Sequence, residues 1–167
     1  GDVYKRQAVQ KHHPEFSIQK LDYDDPDTYR MLGQGDTEGV FQLESSGMKQ
    51  VLVGLQPQNL EDVIALISLY RPGPMDSIPT YLRNRHEPDK ISYKTPQLAH
   101  ILDVTNGCIV YQEQVMQIFR ELAGFSFGQA DNVRRAMSKK KHAVMEAERE
   151  HFVPVSYTHL TLPTTPY

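Results

Sequence analysis

The chain has 167 residues and a formal net charge of −3 at pH 7, from 18 Lys and Arg residues against 21 Asp and Glu residues. The single cysteine, Cys108, excludes a disulfide within the chain and any zinc site built from several cysteines. No run approaches the roughly 18 apolar residues that a membrane helix needs, and no signal-peptide core is present, so we expect a cytoplasmic protein with no membrane partner.

The two ends of the chain differ from the sequence between them. Residues 155–167 have no charged side chain, four threonines and two prolines. Residues 2–7 back-translate to a sequence that resembles a transposase recognition end used in sequencing libraries, and its reverse complement, read in another frame, gives residues 155–159. We therefore expect residues 1–7 and 155–167 to be translated adapter, with few packed contacts and no stable element. A natural disordered tail is the alternative interpretation.

Helix signals dominate the sequence between the ends, and the predicted class is mainly α with short loops and at most a few short strands. Asp25 and Pro26 are expected to start a helix that Gly33 stops. Residues 40–43 are too short to be assigned as a strand. Further helices are predicted over residues 48–53 after a cap at Ser45 or Ser46, 60–70 after a cap at Asn59, 78–85, 96–102, 111–123 and 142–152. Apolar residues recur at helical spacing in 60–70 and 111–123, and the last helix is charged. In the 60–70 helix, the predicted buried face comprises Leu60, Val63, Ile64, Ile67 and Tyr70.

Two features have a structural interpretation that we favour over a functional one. The acidic run over residues 22–27 resembles a metal site in composition, but capping of the helix at Pro26 accounts for it more simply. Cys108 lies between apolar neighbours and is expected to be buried and unreactive. The histidines show no ligand spacing with cysteines or carboxylates.

A basic cluster, residues 134–141, places five cations and no acid in eight positions of an acidic chain. Ser126 and Gln129 form a capping box that predicts a helix carrying Arg134 and Arg135. On a continued helix, Arg135 and Lys139 share one face, so several phosphate oxygens can be bound together. Cations also stabilise the C-terminal end of a helix without any ligand, so the residues alone leave both interpretations open.

Four motifs, in order and at consistent intervals, resemble the alpha subunit of bacterial DNA polymerase III, a family C DNA polymerase. They are GVFQLES over residues 39–45, LYRPGP over residues 69–74, IVYQEQVMQ over residues 109–117 and RRAMSKKK over residues 134–141. The resemblance covers essentially all of residues 8–154. It implies that residues 8–39 connect the palm to the fingers, and that residues 40–154 form the N-terminal part of the fingers domain of this DNA-directed DNA polymerase, a nucleotidyltransferase of DNA replication.

The resemblance also implies which residues contact the substrates. Arg134 and Arg135 would contact the triphosphate of the incoming deoxynucleotide. No catalytic residue and no metal ligand is expected within the segment, because the palm aspartates that hold Mg²⁺ in this family would lie upstream of residue 8. The implied partners are primer–template DNA, deoxynucleoside triphosphates and other replicase subunits, with the sliding clamp and the proofreading subunit bound through other regions. Further phosphate or DNA contacts are possible at Lys139, Lys140, Lys141, Arg71, Tyr111, Gln112 and Gln114, although packing is the commoner role for the last three and a structural role is favoured for Arg71.

Two alternatives from other functional classes remain. A non-enzymatic helical module would bind the nucleic-acid backbone through residues 134–141 and would lose affinity steeply with salt. A scaffold whose cations only solvate a helix end would respond neither to salt nor to nucleotide.

Overall fold

The computed structural model describes the backbone of residues 2–161 and the side chains of residues 3–157. Within these residues the chain is mainly α, as predicted, and none of the few strands that the sequence allowed is formed. The chain divides into two compact units between Ile64 and Ala65, inside the fourth helix. The helices are α1 (Asp2–Gln10), α2 (Pro26–Gln34), α3 (Ser46–Leu55), α4 (Leu60–Leu69), α5 (Ile78–His86), α6 (Ala99–Leu102), α7 (Gln112–Ala123), α8 (Phe127–Ser138) and α9 (His142–Thr161).

Helix α2 begins as predicted but ends two residues later than predicted. The Asp25 carboxylate caps it by accepting from the backbone N–H groups of Asp27 and Thr28, both at 3.2 Å, which confirms the capping role. The helix passes through Gly33 and stops at Gly35, whose φ of 72° is the left-handed conformation that glycine adopts without strain. The prediction of a stop at Gly33 was therefore wrong, because the left-handed cap falls on the second glycine.

Helix α3 packs against α2 in the first unit and is capped by Ser45, whose hydroxyl accepts from the Met48 N–H at 3.3 Å. The segment before it, residues 40–43, forms turns, and the buried Thr37 hydroxyl closes this loop by donating to the Leu43 carbonyl at 2.5 Å. The core of this unit is apolar, and burial of its side chains is the main stabilising contribution. Its buried residues include Leu32, Leu43, Met48, Leu52 and Leu55.

Helix α4 starts at the predicted cap, and its predicted face is confirmed only in part: Val63 is buried, Leu60, Ile67 and Tyr70 are half-buried, and Ile64 is exposed. The Asn59 side chain accepts from the Asp62 N–H at 2.9 Å. Leu66 and Leu69 are fully buried, whereas Ile64, assigned to the buried face, is 44% exposed. The helix itself carries apolar residues on most of its sides, so periodicity alone predicted a buried face that is about one residue out of register with the observed one.

The second unit is built on α7, α8 and α9, which pack against one another. Their shared core contains Val115, Ala123, Phe125 and Val133, and Phe119 and Phe152 close it with ring centroids 4.6 Å apart. The predicted helix over residues 96–102 is split into a 3-10 turn, Pro96–Leu98, followed by the short α6. Cys108 is buried as expected, and burial raises the pKa of its thiol.

The expectation that both ends lack a stable element was wrong for the described residues. Residues 2–7 belong to α1, and α9 continues through Pro154 to Thr161. Residues 2–10 contain no glycine or proline to stop a helix, and Val155 extends the apolar face of Phe152 and packs on the core of the second unit. The described side chains of residues 3–7 are exposed, as is Tyr157 at 70%. Residues 1 and 162–167 lie outside the described part.

Candidate phosphate-binding site

Helix α8 presents the two arginines from a fixed position. The predicted capping box is confirmed, because the Ser126 hydroxyl accepts from the Gln129 N–H at 3.3 Å and the Gln129 side chain accepts from the Ser126 N–H at 2.8 Å. Val133 and Ala136 bury the opposite side of the helix. Arg134 and Arg135 are thereby held at the surface, with side chains 33% and 64% exposed.

One carboxylate, that of Asp131, pairs with both arginines. Its Oδ1 lies 2.8 Å from Nε of Arg134, and its Oδ2 lies 2.7 Å from Nε of Arg135. The hydrogen bond from Arg134, together with the positive charge of both guanidinium groups, holds the pKa of Asp131 below its ordinary value. The carboxylate is therefore ionised at neutral pH and offsets part of the cationic charge of the cluster.

Arg134 has a second anchor on α7. Its terminal Nη1 donates to Oε1 of Gln112 at 3.3 Å, and Nε2 of Gln112 donates to the Ser138 hydroxyl at 2.8 Å. Gln112 thus connects the start of α7 to the end of α8. Gln112 and Ser138 also line a groove with Arg71 and Tyr111, so residues from three of the four sequence motifs come together within the second unit.

The three lysines do not continue the helix, so the predicted row of cations along one rod was wrong. Helix α8 ends at Ser138, and Lys140 takes a left-handed φ of 51°. The N–H of Lys141 then donates to the Ala136 carbonyl at 2.9 Å, which closes a turn before α9. The turn brings Lys141 beside Arg135 and Lys139 in a second cleft, and all three lysines are exposed.

Gln114 is not available for the nucleic-acid contact that the sequence suggested. Its side chain is 6% exposed and every polar atom of its amide has a protein partner. The oxygen accepts from the N–H groups of Val110 and Tyr111, both at 2.9 Å, while the nitrogen donates to the Ile101 carbonyl at 3.1 Å and the Thr105 hydroxyl at 2.7 Å. A buried amide of this kind fixes the loop before α7, and a ligand would have to break four hydrogen bonds to use it.

Comparison with known proteins gives the same family as the motifs. Residues 2–157 match the family model of the bacterial DNA polymerase III alpha subunit finger domain. The chain belongs to this family. It is 54% identical over 138 residues to the DNA polymerase III subunit alpha of Staphylococcus aureus strain Mu50 and 53% identical to that of Staphylococcus epidermidis strain ATCC 12228, in both cases over 83% of this chain. The chain spans 13% of the length of these relatives.

In this finger domain segment, the sequence predicted Arg134 and Arg135 as phosphate contacts but did not indicate the roles of Asp131 and Ser138. The basic cluster was defined as the acid-free window 134–141, and Asp131 lies just outside it. Its spacing of three and four residues from the two arginines is the spacing at which oppositely charged side chains meet on a helix, so the signal was present in the sequence. Ser138 gave no such signal, because its partner is on another helix.

No helix within the described residues is long and apolar enough to cross a membrane. In that same part of the chain, no three His, Cys, Asp or Glu side chains are grouped so that they could hold a metal ion.

Proposed function

We propose that this segment acts as part of the fingers of a replicative DNA polymerase, and that Arg134 and Arg135 contact the triphosphate of the incoming deoxynucleotide. In the complete subunit, this contact would serve template-directed nucleotidyl transfer in DNA replication. Residues 8–39 would connect the palm to the fingers, and residues 40–154 would form the N-terminal part of the fingers. The observation that carries the proposal is the pair of adjacent, partly exposed guanidinium groups held on a capped and buried helix.

The chemistry of the two side chains suits a phosphate ligand. Asp131 contacts each arginine at Nε, and one terminal nitrogen of Arg134 donates to Gln112. Terminal guanidinium nitrogens bind phosphate oxygens in a planar fork, which gives both charge and direction. As charge moves onto the leaving pyrophosphate, donors fixed in advance stabilise the transition state at no cost of reorganisation.

The remaining cations and polar groups would contact the nucleic acid. Lys139, Lys140 and Lys141 are exposed in the turn after α8. Their positive charges would attract the backbone phosphates of a nucleic acid. The groove that contains Arg71, Tyr111 and Gln112 offers an aromatic ring and polar groups for a base or sugar. Primer–template DNA and deoxynucleoside triphosphates are the proposed ligands. The clamp and the proofreading subunit would bind elsewhere in a cytoplasmic replicase.

Mg²⁺ is the proposed metal of the complete enzyme. When bound, it would supply positive charge that favours the attack of the primer 3′-hydroxyl on the nucleotide. The described residues do not fit a metal site, because they bring no three ligand side chains together. By the resemblance to the family, the metal would be held by palm aspartates upstream of residue 8. The role proposed for this chain is limited to binding and orienting phosphate groups.

The test is steady-state nucleotide incorporation by a complete alpha subunit that carries this segment, with Arg134→Ala and Arg135→Ala. We expect each substitution to lower kcat/KM for the incoming nucleotide by roughly 10- to 1,000-fold, with a much smaller change in DNA affinity. Lysine at either position should restore only part of the activity, because a point charge cannot reproduce the fork. Arg149→Ala is the matched control, because Arg149 is also exposed and pairs with a carboxylate three residues before it, Glu146 at 2.9 Å.

Unchanged nucleotide kinetics in both arginine variants would remove the proposed contact. A loss of DNA affinity with normal kcat/KM would instead favour a module that binds the nucleic-acid backbone, and its affinity should then fall steeply with salt. A change in melting temperature alone would leave the cations with a role only at the helix end.

We also propose that residues 1–7 and 155–167 do not come from the gene that encodes the rest of the segment. Residues 2–7 and 155–161 are helical, but helical conformation does not identify the codons that encode a segment, because residues next to a helix adopt its conformation whatever their origin. Sequencing of genomic DNA across both junctions decides the matter. Native codons for residues 2–7 and 155–167 in the continuous gene would refute the proposal.

A further inference from the structure

We infer that Asp131 is a positioning residue that orients Arg134 and Arg135 for a phosphate ligand and limits their attraction for other polyanions. This inference rests on the proposed function of the two arginines. Asp131 does not itself touch the ligand, because its carboxylate would repel phosphate. Its effect reaches the ligand through the two guanidinium groups.

The geometry of the three side chains carries the inference. Asp131 has one oxygen for each arginine, at 2.8 Å and 2.7 Å, and both contacts are to Nε. A guanidinium group has five N–H donors, and a contact at Nε leaves the four donors of the terminal nitrogens. A carboxylate that accepted from the terminal nitrogens would compete directly with phosphate, whereas this one contacts each side chain at Nε. One terminal nitrogen of Arg134 donates to Gln112, and its other terminal nitrogen and both of those of Arg135 point the remaining donors toward a ligand.

The two arginines differ in how much they depend on Asp131. Arg134 is also held by Gln112 at 3.3 Å, so it has anchors on α7 and α8. Arg135 is 64% exposed and has Asp131 as its ion-pair partner within the described residues. An exposed arginine without an anchor samples many rotamers, and binding a ligand must then order it at a cost in conformational entropy. Loss of Asp131 should therefore affect Arg135 more than Arg134.

The charge of Asp131 has the opposite effect on non-specific binding. Asp131 is 19% exposed and lies beside a cluster of five cations, so its ionised carboxylate lowers the local positive potential. Its removal adds one net positive charge where polyanions bind. Loss of Asp131 should therefore weaken the orientation of the two arginines but strengthen the binding of polyanions. Loss of a residue that only stabilises the fold would not have these opposite effects.

The experiment uses Asp131→Asn in a complete alpha subunit carrying this segment, with Asp131→Glu as the conservative variant. Asparagine has nearly the same shape but offers one oxygen, so its NH₂ group would face one of the arginine donors. We expect Asp131→Asn to lower kcat/KM for the incoming nucleotide on the order of 10-fold, mainly through a higher KM. Binding of single-stranded DNA and of inorganic triphosphate should stay equal or become tighter, with a steeper salt dependence. Asp131→Glu should recover part of the loss.

Glu146→Gln is the matched control, because it removes one carboxylate from another i, i+3 pair with arginine on α9. Melting temperature and hydrogen exchange in α8 report whether a variant is folded. A parallel loss of nucleotide kinetics and polyanion binding in Asp131→Asn, or unchanged kinetics, would overturn the inference. Failure of the proposed function is a separate outcome, because Arg134→Ala and Arg135→Ala would then leave kcat/KM unchanged whatever Asp131 does.

Discussion

Two glutamines of one motif, Gln112 and Gln114, should respond differently to the same substitution. Gln112 is exposed and joins Arg134 to Ser138, whereas Gln114 is buried and makes four hydrogen bonds to α6 and to the loop before α7. Replacement by alanine removes the same atoms in both cases. The positions therefore form a matched pair, in which environment alone decides whether catalysis or stability is lost.

The magnitude for Gln114→Ala follows from its partners. Four hydrogen bonds at about 0.5 to 1.5 kcal/mol each give about 2 to 6 kcal/mol, and water that enters the space recovers part of it. We therefore expect a local loss of about 3 kcal/mol, which is about two orders of magnitude in the local opening equilibrium. For Gln112→Ala we expect a loss below about 0.5 kcal/mol, because exposed side chains exchange protein partners for water.

The assay is hydrogen exchange of the complete subunit, followed by mass spectrometry of the peptide that contains residues 108–116. The N–H groups of Val110 and Tyr111 donate to Gln114, so they should exchange roughly 100-fold faster in Gln114→Ala and at nearly the normal rate in Gln112→Ala. Nucleotide KM should rise in Gln112→Ala, because Arg134 loses an anchor. Normal protection of residues 110 and 111 in Gln114→Ala would refute the structural role of this side chain.

Two further predictions concern the loop before α7. Gly107→Ala should destabilise the loop by about 1 to 3 kcal/mol, seen as faster hydrogen exchange over residues 102–108, because Gly107 has a φ of 77° and an added Cβ would lie 2.7 Å from Cγ2 of Ile91. Cys108 should resist alkylation at neutral pH until denaturant opens the unit, since burial both shields the thiol and raises its pKa. Rapid labelling of native Cys108, followed by peptide mass spectrometry, would contradict its buried position.

Local sequence signals predicted most of the helices. The caps at Asp25, Ser45, Asn59 and Ser126 act between a side chain and a backbone N–H two or three residues away, so the residues that form them are adjacent in the sequence. The mainly α class followed from the same signals. The predicted buried face of α4 failed at Ile64, which is exposed while Leu66 and Leu69 are buried. Periodicity in a helix with apolar residues on most sides does not specify which side is packed.

The candidate site shows the same division between local and tertiary information. Composition drew attention to Arg134 and Arg135, and helix spacing could also have found Asp131, because residues three and four apart on a helix are neighbours. Two residues along a helix turn the side chain by about 200°, so Gln112 and Gln114 are expected on opposite sides of α7. The sequence does not indicate which of the two is buried, because that depends on how α6 and α8 pack against α7.

A cationic cluster in an acidic chain is therefore best interpreted together with the acids one turn before it. Without Asp131, Arg135 would be a flexible charge and Arg134 would keep only its contact with Gln112. Flexible charges attract any polyanion without selecting one. With Asp131 bound at both Nε atoms, part of the charge is offset while the direction of the remaining donors is fixed. Selectivity for one phosphate ligand is favoured when the general attraction for anions is weaker and the direction of the donors is fixed. Binding energy aids a reaction only when the ligand is bound in the productive geometry.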